Sequence, residues 1–579
     1  MTRIGKSIST TILLSSFVAL SSCGSGGSGG AVDDGSSVDT SSQDISDAMD
    51  PEDLVSDDQV ENLQFLNSGE SLSGSLTEGE FVTFLVPEDS QVVVTSNSGD
   101  SDVFLFDSLE FADETFVCAE RTAFAEDICS GSSESSDFLF ATVAGNEITN
   151  DYTVSVTDDC SVGNINQWVY RSMQDYYLFA DQVPVVNPLD YDSPSDLVAD
   201  LRFNVVEPFS GIRDAVGQQL LFDEGKDFGF GYRWGRDENN DLRILNVAID
   251  SPFGRAGVKR GDIFHSLGGI LDEDLTDAQF FDFIGTDDDP NVVEWGFLDG
   301  VSGELETFLA AKAEHEVNTV SFTGSYTHPQ FSGRTGYIVF NQFLNTSVEE
   351  LDASINQLID EDITELVLDL RYNGGGRVFV AERLAAQISG SRFTGEVLSR
   401  TRYNDTYSHL DSEREYDDAE PSLDLSRVIV LTTERTASAS ELVINALSPY
   451  LDVVTIGSPT TGKPFQSFAR DFCGMSLNAM NSQLVNVADT SVAGGIVTQC
   501  FAQDDRTRNY GIGENGIELM LKSALDFIVF GTCEVNPSDT ILARTGTATS
   551  QRAWEKTGDF DSPATLQNEK PWPFVKGAE

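Results

Sequence analysis

Residues 365–388 read ELVLDLRYNGGGRVFVAERLAAQI. The apolar run at 365–370 predicts a buried β-strand, and the periodic run at 378–388 predicts a helix that follows it. Three glycines stand between the two runs. Glycine at a strand-to-helix junction lets the backbone approach a ligand and point amide groups at an anion. A plain tight turn would explain the glycines equally well if this stretch stood alone.

The segments on either side repeat the alternation of strand and helix. Buried strands are predicted at 337–340 and 428–431, and an amphipathic helix is predicted at 347–360. A last helix is predicted at 516–530 and closes the domain. This order predicts an α/β core. The strand at 428–431 leads into TASASE at residues 436–441, and TTGKP follows at residues 460–464.

Ser438 and Lys463 are the candidate catalytic residues of these two segments. A serine at a strand-to-helix junction has an exposed hydroxyl near the positive end of the helix, which favours an attacking oxygen. Burial disfavours the charged form of a lysine, so a buried Lys463 could accept the proton of Ser438. Taken alone, Lys463 would be an exposed loop lysine, but the chain has only nine lysines in 579 residues.

In this order, the motifs resemble those of the carboxyl-terminal processing peptidases, a family of serine proteases with a Ser-Lys dyad, a PDZ domain and a ClpP/crotonase-like core. The resemblance covers residues 160–533. It implies that Ser438 is the nucleophile and Lys463 the general base, at the family's usual separation of 25 residues. It also implies that the N–H groups of Gly375 and Ala439 form the oxyanion hole, where one donor typically contributes about 2.7 to 4 kcal/mol.

The sequence departs from the family at one position. The family commonly places a glutamine four residues after the lysine, whereas this chain has Ser467 there and Gln466 one position earlier. A one-residue deletion would let Gln466 orient Lys463, and otherwise the support of the lysine is weaker.

Two other assignments of the catalytic residues are possible. A histidine-based triad would use His328 or His409, but neither has the flanking residues of such a motif. Ser440 could replace Ser438 as the nucleophile, and the spacing to the lysine favours Ser438.

Residues 228–232 read FGFGY, and SPFGRAGV at 251–258 and RGDI at 260–263 follow. This order resembles a PDZ domain, in which an extended peptide pairs with a sheet edge and amides of a Gly-rich loop hold its terminal carboxylate. The resemblance predicts four peptide-binding residues: Phe228, Gly229, Phe230 and Gly231. A small β-barrel module that binds nothing is the alternative, because such a loop is a loose signal.

The region before these motifs contains two predicted modules. Short β-type runs separated by Gly, Ser and Asn predict an antiparallel β-sandwich over 62–158. Its runs SDVFLF at 101–106 and DYTVSV at 151–156 resemble the bacterial pre-peptidase C-terminal domain, which suggests a spacer or a surface-binding module. Residues 159–212 are predicted to be helical, with an aromatic stripe at 168–177 that predicts packing.

The charge of the chain excludes some functions. The 96 Asp and Glu residues outnumber the 34 Lys and Arg residues, for a formal net charge of -62. Such a field repels phosphate backbones and anionic headgroups, so no nucleic-acid partner and no purely electrostatic membrane binding are expected.

The first residues predict export. Residues 1–23 combine a positive start with an apolar run that is too short to span a bilayer, which predicts a secretory signal. The end of this run, LSSC, resembles a bacterial lipobox and implies that Cys23 is lipidated, although an ordinary signal with a chance cysteine is the alternative. Residues 24–61, rich in Gly, Ser and Asp, predict a solvated tether. No later apolar run is long enough to cross a membrane, so a lipid anchor alone is expected. By its resemblance to a sorting signal, Gly24 favours the outer membrane, facing the periplasm or the cell surface.

Six cysteines remain after Cys23, and an even number in an exported protein predicts disulfides. The sequence does not fix their connectivity. Pairing of neighbours would join Cys118 to Cys129, Cys473 to Cys500, and Cys160 to Cys533. Because no Cys-x-x-Cys spacing or nearby histidine is present, neither a metal nor a cofactor is predicted.

The predicted fold class is multidomain, with an antiparallel β-sandwich, a helical segment plus PDZ domain, and an α/β ClpP/crotonase-like protease core. The predicted boundaries are a signal peptide 1–23, a tether 24–61, a β-sandwich 62–158, a helical segment 159–212, a PDZ-like domain 213–318, a protease core 319–533 and a C-terminal tail 534–579. The predicted function is an exported, lipid-anchored serine endopeptidase whose PDZ domain binds polypeptide or gates the site. The alternatives are a catalytically silent peptide-binding lipoprotein and a crotonase-like small-molecule hydrolase.

Overall fold

A computed structural model describes residues 64–66, 69, 71–77, 80–87, 91–98, 101–106, 118–120, 126–130, 138–145, 150–157, 160–287, 290–328, 330–513 and 516–533. All of these residues belong to one compact unit, Val55–Glu579. The predicted signal peptide with Cys23, the tether and the C-terminal tail lie outside the described residues. Among the helices that are described, none has the length and apolar character needed to cross a membrane.

Two sheets formed by residues 64–157 share one apolar core. The strand order of the first sheet is Gln64–Phe65, Phe81–Pro87, Phe138–Gly145, Ser101–Phe106 and Cys118–Glu120. The strand order of the second sheet is Ser71–Leu76, Asn150–Thr157, Gln91–Ser98 and Glu126–Ser130. Every second residue points inward, so Val92 and Val94 of one sheet and Val103 and Leu105 of the other are fully buried together. The strands are antiparallel except for the first, which pairs parallel to its neighbour.

The segment after the sandwich is helical and packs on the core. Its helices are Val162–Asp175 and Pro194–Leu201, with short 3-10 turns at Ala180–Gln182 and Pro188–Asp190. The aromatic stripe packs as the sequence predicts: Trp168 is fully buried and stacks on Phe472, with 5.2 Å between the ring centroids. This stripe therefore forms part of the structural core and is not a ligand site.

A strand pair and a disulfide join the helical segment to the core. Gly211–Asp214 pairs antiparallel with Met475–Asn478, and that strand pairs with Arg470–Phe472. Cys160 is bonded to Cys473, with 5.3 Å between their Cα atoms. The ends of the helical segment are thus both fixed to one hairpin of the core.

The sequence left the cysteine connectivity open, and the pairing of neighbours does not occur at Cys473 or Cys500. Cys473 is carried to Cys160 by the hairpin described above, and Cys500 is bonded to Cys533 instead, with 5.7 Å between their Cα atoms. The side chain of Cys118 is not described, so its bond to Cys129 remains a prediction. The two observed disulfides indicate an extracytoplasmic location, because reducing compartments do not sustain such bonds.

Residues 226–316 form a small β-domain around a cluster of aromatic rings. The strand order of its main sheet is Tyr232–Arg236, Leu242–Val247, Ile263–Leu267, Val293–Leu298 and Leu305–Ala310, and Ile270–Leu271 pairs with the third of these. Its helices are Pro252–Arg255 and Asp277–Ile284, and Lys226–Gly229 pairs with Ala313–Glu316. Its core is built from Phe230, Trp234, Phe253, Phe264, Trp295 and Phe297. Ala215–Gln219 and the turn Leu220–Glu224 lead into this domain.

The α/β core contains a six-stranded sheet between two layers of helices. The strand order is Val320–His328, Phe331–Phe340, Glu365–Asp369, Arg427–Thr432, Asp452–Gly457 and Cys500–Phe501. The first two strands are antiparallel and the rest are parallel. Ser347–Asp360, Val378–Ser389 and Ala439–Leu447 cover one face, and Leu519–Phe530 covers the other. Leu366 and Leu368 point to the three-helix side and Val367 to the other side, which explains the continuous apolar run.

A second, antiparallel sheet lies beside the lysine segment. Its order is Ser412–Glu415, Val397–Tyr403, Ser482–Val485 and Phe465–Gln466. The sequence places the start of the last helix at 516, but the helix begins at Leu519. Gly516–Ile517 instead pairs with Ile512–Gly513, and the side chain of Glu518 caps the helix by accepting a hydrogen bond from Leu521 N–H at 2.9 Å.

Candidate active site

Ser438 stands at the junction between the strand Arg427–Thr432 and the helix Ala439–Leu447. Its backbone has φ +56° and ψ -117°, a region that residues other than glycine rarely adopt. Such strain is typical of functional turns, because the surrounding structure must hold the residue in place. The side chain of Ser438 is half-buried at the N-terminus of the helix.

The carboxylate of Glu441 joins the two predicted catalytic residues. Its Oε2 accepts hydrogen bonds from the backbone N–H of Ser438 at 2.8 Å and of Lys463 at 2.9 Å. Its Oε1 accepts from the N–H of Gly462 at 2.7 Å and from the hydroxyl of Thr460 at 2.5 Å. Burial raises the pKa of Glu441, and the four donated hydrogen bonds oppose that effect. One fully buried side chain therefore fixes the serine turn against the lysine turn.

Lys463 is buried, with 7% of its surface exposed. Burial lowers the pKa of Lys463 to about 8, and the positive charge of Arg213 acts in the same direction, while Glu207 and Glu441 oppose it. Its Nζ lies 5.5 Å from the centroid of the Phe209 ring. A lysine in this environment is a much better proton acceptor near neutral pH than an exposed lysine.

The side chains of Ser438 and Lys463 do not hydrogen-bond to each other in this structure. Their backbones are held by the same oxygen of Glu441, so each side chain starts from a neighbouring, fixed point. Proton transfer needs the two side chains within hydrogen-bonding reach, and such contacts are often longer in a free enzyme than in a substrate complex.

The turn that follows Glu365–Asp369 packs directly against Ser438. Gly375 has φ +105°, and a Cβ atom at this position would lie 2.8 Å from the Cβ of Ser438 and 2.9 Å from the N atom of Ala439. Glycine is therefore required here for contact between the turns as well as for the backbone angle. The N–H of Ala439 has no acceptor among the described residues, whereas the N–H of Gly375 donates to Asn373 Oδ1 at 2.9 Å.

Comparison with known families agrees with this arrangement. Residues 334–490 match the sequence model of Peptidase family S41, and residues 164–211 match that of the Peptidase S41 N-terminal domain. Two segments of the chain are thus similar to domains of peptidase family S41. The predicted resemblance to carboxyl-terminal processing peptidases and the predicted class of serine-type peptidase are confirmed at this level.

Relatives and a solved structure extend the match. The chain is 27% identical over 228 residues to carboxyl-terminal-processing peptidase 1, chloroplastic, of Arabidopsis thaliana, covering 39% of this chain and 44% of that protein. It is 26% identical over 332 residues to a protein of Staphylococcus aureus named "Probable CtpA-like serine protease", covering 55% of this chain and 60% of that protein. The chain thus spans about half the length of the curated relatives it matches. A crystal structure of a protein from Bacteroides fragilis named "Putative S41 protease" shares the fold with a TM-score of 0.50 and 22% identity, over 63% of this chain and 97% of that chain.

The segment that matches the S41 N-terminal domain supplies one wall of the pocket around Lys463. Phe209 packs under Lys463 and also lies 6.3 Å from the ring of Phe465. The fully buried Glu207 is held nearby by the hydroxyls of Tyr177 and Ser210, each at 2.7 Å. The sequence assigned only packing to this segment, and no spacing signal connects it to a lysine more than 250 positions later.

The remaining predicted site residues lie as follows. Gln466 belongs to the short strand Phe465–Gln466, which follows the lysine turn. The hydroxyl of Ser440 is fully buried and donates to the carbonyl oxygen of Asn373 at 2.9 Å, so it serves the structure of the turn and is not available as a nucleophile. The ring of His328 contacts Phe530, and that of His409 contacts Tyr407.

The predicted peptide-binding loop lies at the N-terminal start of the small β-domain. Gly229 ends a paired strand, while Phe230 is buried among aromatic rings and Phe228 is 37% exposed. The carbonyl oxygens of Phe230 and Gly231 accept hydrogen bonds from within the domain. Their N–H groups make no hydrogen bond with any described residue, and the adjoining strand Tyr232–Arg236 is an edge of its sheet.

A buried cluster of charges connects this small β-domain to the glycine turn, a contact that sequence patterns did not reveal. The guanidinium of Arg371 is fully buried and pairs with Asp369, Glu518 and Asp504 at 2.6, 2.8 and 3.1 Å. Arg260 of the small β-domain donates to the hydroxyl of Tyr372 at 3.2 Å. Buried charges are tolerated only when paired, so this cluster fixes the start of the turn. Arg233 also donates to the carbonyl oxygen of Tyr372.

Proposed function

We propose that this protein is a serine endopeptidase that cleaves polypeptides with Ser438 as nucleophile and Lys463 as general base. The observation that carries the proposal is the double hydrogen bond of Glu441 Oε2, which fixes a strained serine beside a buried lysine. The family match supports the reaction class. The pKa of about 8 for Lys463 supports its role as a base near neutral pH.

The proposed reaction begins when Ser438 Oγ bonds to the carbonyl carbon of the scissile peptide. The hydroxyl proton passes to Lys463 Nζ, and the π electrons of the carbonyl move onto its oxygen. The N–H groups of Ala439 and Gly375 are the proposed donors to that oxyanion. When the C=O bond reforms, the C–N bond breaks, and the leaving amine takes the proton from the Lys463 ammonium.

Hydrolysis of the acyl-enzyme follows the same path. Water bonds to the ester carbon and gives its proton to Lys463, and the second tetrahedral species expels Ser438 Oγ, which takes that proton back. The products are a new carboxyl terminus and the restored hydroxyl. In this scheme Gln466 is a residue that orients Lys463.

The first experiment is digestion of casein by the purified exported form of the protein, with Ser438→Ala and Lys463→Ala variants. The expected result is a loss of turnover of at least about 10³-fold in both variants. Lys522→Ala is the matched control, because Lys522 is an exposed helix lysine paired with Asp526, and it should digest casein at the normal rate. Equal rates in the two active-site variants and the original protein would eliminate the dyad.

The small β-domain is proposed to bind a polypeptide terminus as a PDZ domain does. The free N–H groups of Phe230 and Gly231 and the edge strand Tyr232–Arg236 support this role. A peptide with a free carboxyl terminus should bind, and the same peptide ending in an amide should bind at least tenfold more weakly, as measured by fluorescence anisotropy. Equal binding of the two peptides would contradict a carboxylate loop.

The N-terminal region is proposed to anchor the protease through a lipid on Cys23, with the β-sandwich as a spacer. The sequence at 20–23 supports this anchor, and the observed disulfides agree with export. Cys23→Ser should move the protein from the outer-membrane fraction to the soluble fraction of a producing bacterium. Retention of the variant in the membrane would contradict the lipid anchor.

A further inference from the structure

The N–H of Gly375, a proposed oxyanion donor, is already occupied in the free protein. It donates to Asn373 Oδ1 at 2.9 Å, and Asn373 is fully buried. The other proposed donor, the N–H of Ala439, has no acceptor among the residues that the structure describes. The two proposed donors therefore differ, because only the N–H of Gly375 already has an acceptor within the protein.

We propose that Asn373 caps the oxyanion hole in the resting protein, and that the developing oxyanion displaces Oδ1 from the Gly375 N–H. This inference rests on the proposed function. A neutral carbonyl oxygen of bound substrate gains little by replacing a neutral amide oxygen, whereas hydrogen bonds to a charged oxygen are roughly twice as strong. The exchange is thus favourable only as the negative charge forms, which directs the stabilisation to the transition state. Asn373 is a positioning residue in this scheme.

The backbone around the cap is fixed, so the side chain of Asn373 is the part that moves. Its carbonyl oxygen accepts hydrogen bonds from Ala437 N–H at 3.1 Å and from the Ser440 hydroxyl at 2.9 Å. Gly375 cannot shift towards Ser438, because the two turns are already in contact. The side-chain amide of Asn373 has one further bond, from Nδ2 to the carbonyl oxygen of Phe340 at 3.0 Å. Departure of the cap therefore breaks two side-chain hydrogen bonds and leaves the turn in place.

The alternative is a purely structural role, in which Asn373 Oδ1 keeps the Gly375 N–H throughout the reaction. The two roles differ in the effect of substitutions. Asn373→Asp keeps an acceptor and makes it a stronger, charged one, whereas Asn373→Ala removes it. If Asn373 has a purely structural role, Asn373→Asp should be less harmful than Asn373→Ala. If its side chain must leave the Gly375 N–H, Asn373→Asp should be the more harmful of the two.

The experiment uses a peptide boronic acid, which forms a tetrahedral adduct on a catalytic serine and presents an oxygen to the oxyanion hole. In protein labelled with ¹⁵N-glycine, the Gly375 amide resonance should move on adduct formation, while the resonance of the exposed Gly303 should not. Asn373→Asp should weaken boronate binding and lower kcat by at least tenfold with little change in KM. Asn373→Ala should bind boronate at least as tightly as the original protein.

The outcomes separate the two proposals. An adduct that leaves the Gly375 resonance unmoved, or an Asp variant closer to the original protein than the Ala variant, would overturn the cap and leave the peptidase assignment intact. Absence of both the adduct and casein digestion would overturn the proposed function, and the cap with it. If Asn373→Ala does not fold, the Gly375 resonance of the original protein still decides the question.

Discussion

Glu441 takes part in no bond-making step of the proposed reaction, but it holds the two proposed catalytic residues in position. A single carboxylate accepts four hydrogen bonds, two of them from the backbones of Ser438 and Lys463. No other side-chain type of this size offers four acceptor positions without a donor. We interpret Glu441 as the residue that sets the distance between nucleophile and base.

The first prediction concerns Glu441→Gln, which keeps the shape but turns two acceptor positions into an NH₂ group facing N–H donors. We expect kcat to fall at least about 100-fold, since a small misplacement of reacting groups costs that much. The free energy of unfolding should fall by roughly 2 to 4 kcal/mol, because buried donors lose their acceptors. Steady-state kinetics and urea unfolding measure these effects.

A matched control for this variant is Glu434→Gln. Glu434 lies in the turn before the helix that carries Glu441, but its carboxylate accepts a hydrogen bond only from the Ser458 hydroxyl among the described contacts, at 3.0 Å. Its substitution should change neither measurement appreciably. Normal kinetics in Glu441→Gln would remove Glu441 from the positioning role.

The second prediction concerns Arg213, a half-buried arginine whose guanidinium group makes no hydrogen bond or ion pair with any described residue. Its positive charge lowers the pKa of Lys463, after the larger effect of burial. In Arg213→Gln, the pKa of Lys463 should rise. Because Lys463 must be neutral to act as a base, the rise of kcat/KM with pH should shift from about pH 8 to higher pH.

Arg213→Lys preserves the charge and should keep the pH profile of the original protein. The result that would contradict the electrostatic role is a Gln variant with a lower rate but an unshifted profile. That result would assign Arg213 to packing alone.

The sequence predicted the segments of the proposed catalytic residues but not the residues that surround them. Ser438 and Lys463 stand in short, recognisable segments, whereas Phe209 and Arg213 reach the lysine from a segment more than 240 positions earlier. Such contacts depend on tertiary packing, which leaves no local pattern. Glu441 was more accessible to prediction, because a glutamate three residues after a serine at a helix start is a known capping pattern.

At the scale of single elements, the helix Val378–Ser389 carries Glu382, whose charged form is disfavoured by burial. Burial raises the pKa of Glu382 to about 7, and nearby Asp417 adds to this, while Arg414 opposes it. A carboxyl group whose pKa is raised on folding stabilises the fold fully below its unfolded value. That contribution is lost as the pH rises through the folded value.

The third prediction follows from the upward direction of this pKa shift. The free energy of unfolding should fall by about 2 kcal/mol as the pH rises from 4.5 to 8. In Glu382→Gln that fall should be smaller by a similar amount, as measured by urea unfolding at each pH. A variant with the same pH dependence as the original protein would show that Glu382 is not the group responsible.

The elements of the core were predictable because each carries its own periodicity. The helix at 347–360 was predicted to the residue, and the strands predicted at 365–370 and 428–431 match Glu365–Asp369 and Arg427–Thr432 to within one residue. The strand predicted at 337–340 is only the end of Phe331–Phe340, and the edge strands Val320–His328 and Cys500–Phe501 were not predicted. The last helix was placed three residues too early because Gly516–Ile517 pairs with a strand outside the helix. The sequence left the cysteine pairs open for a similar reason. Strand pairing between 211–214 and 475–478 decides which cysteines meet, and sequence separation does not report it.

At the scale of the whole molecule, the net charge of -62 dominates the electrostatics. The carboxylates repel one another more strongly in the compact state than in the unfolded chain. Added salt shortens the screening length from about 10 Å at 0.1 M to about 3 Å at 1 M, which weakens this repulsion.

The fourth prediction is that sodium chloride raises the Tm of the protein between 0.05 and about 1 M, a range over which the screening length changes severalfold. Differential scanning calorimetry measures the change, and sucrose at equal osmolality separates charge screening from general solute exclusion. A Tm that is flat or falls with salt would mean that local ion pairs, such as those of Arg371, outweigh the global repulsion.

The bond between Cys160 and Cys473 has a consequence for when the protein can work. It fixes the start of the helical segment that contains Phe209, and Phe209 helps to exclude water from the amine of Lys463. A newly made chain in a reducing cytoplasm would lack this disulfide, and with it part of the burial that lowers the pKa of Lys463. For the exported protease proposed above, the active site would therefore be complete only after this bond has formed outside the cytoplasm.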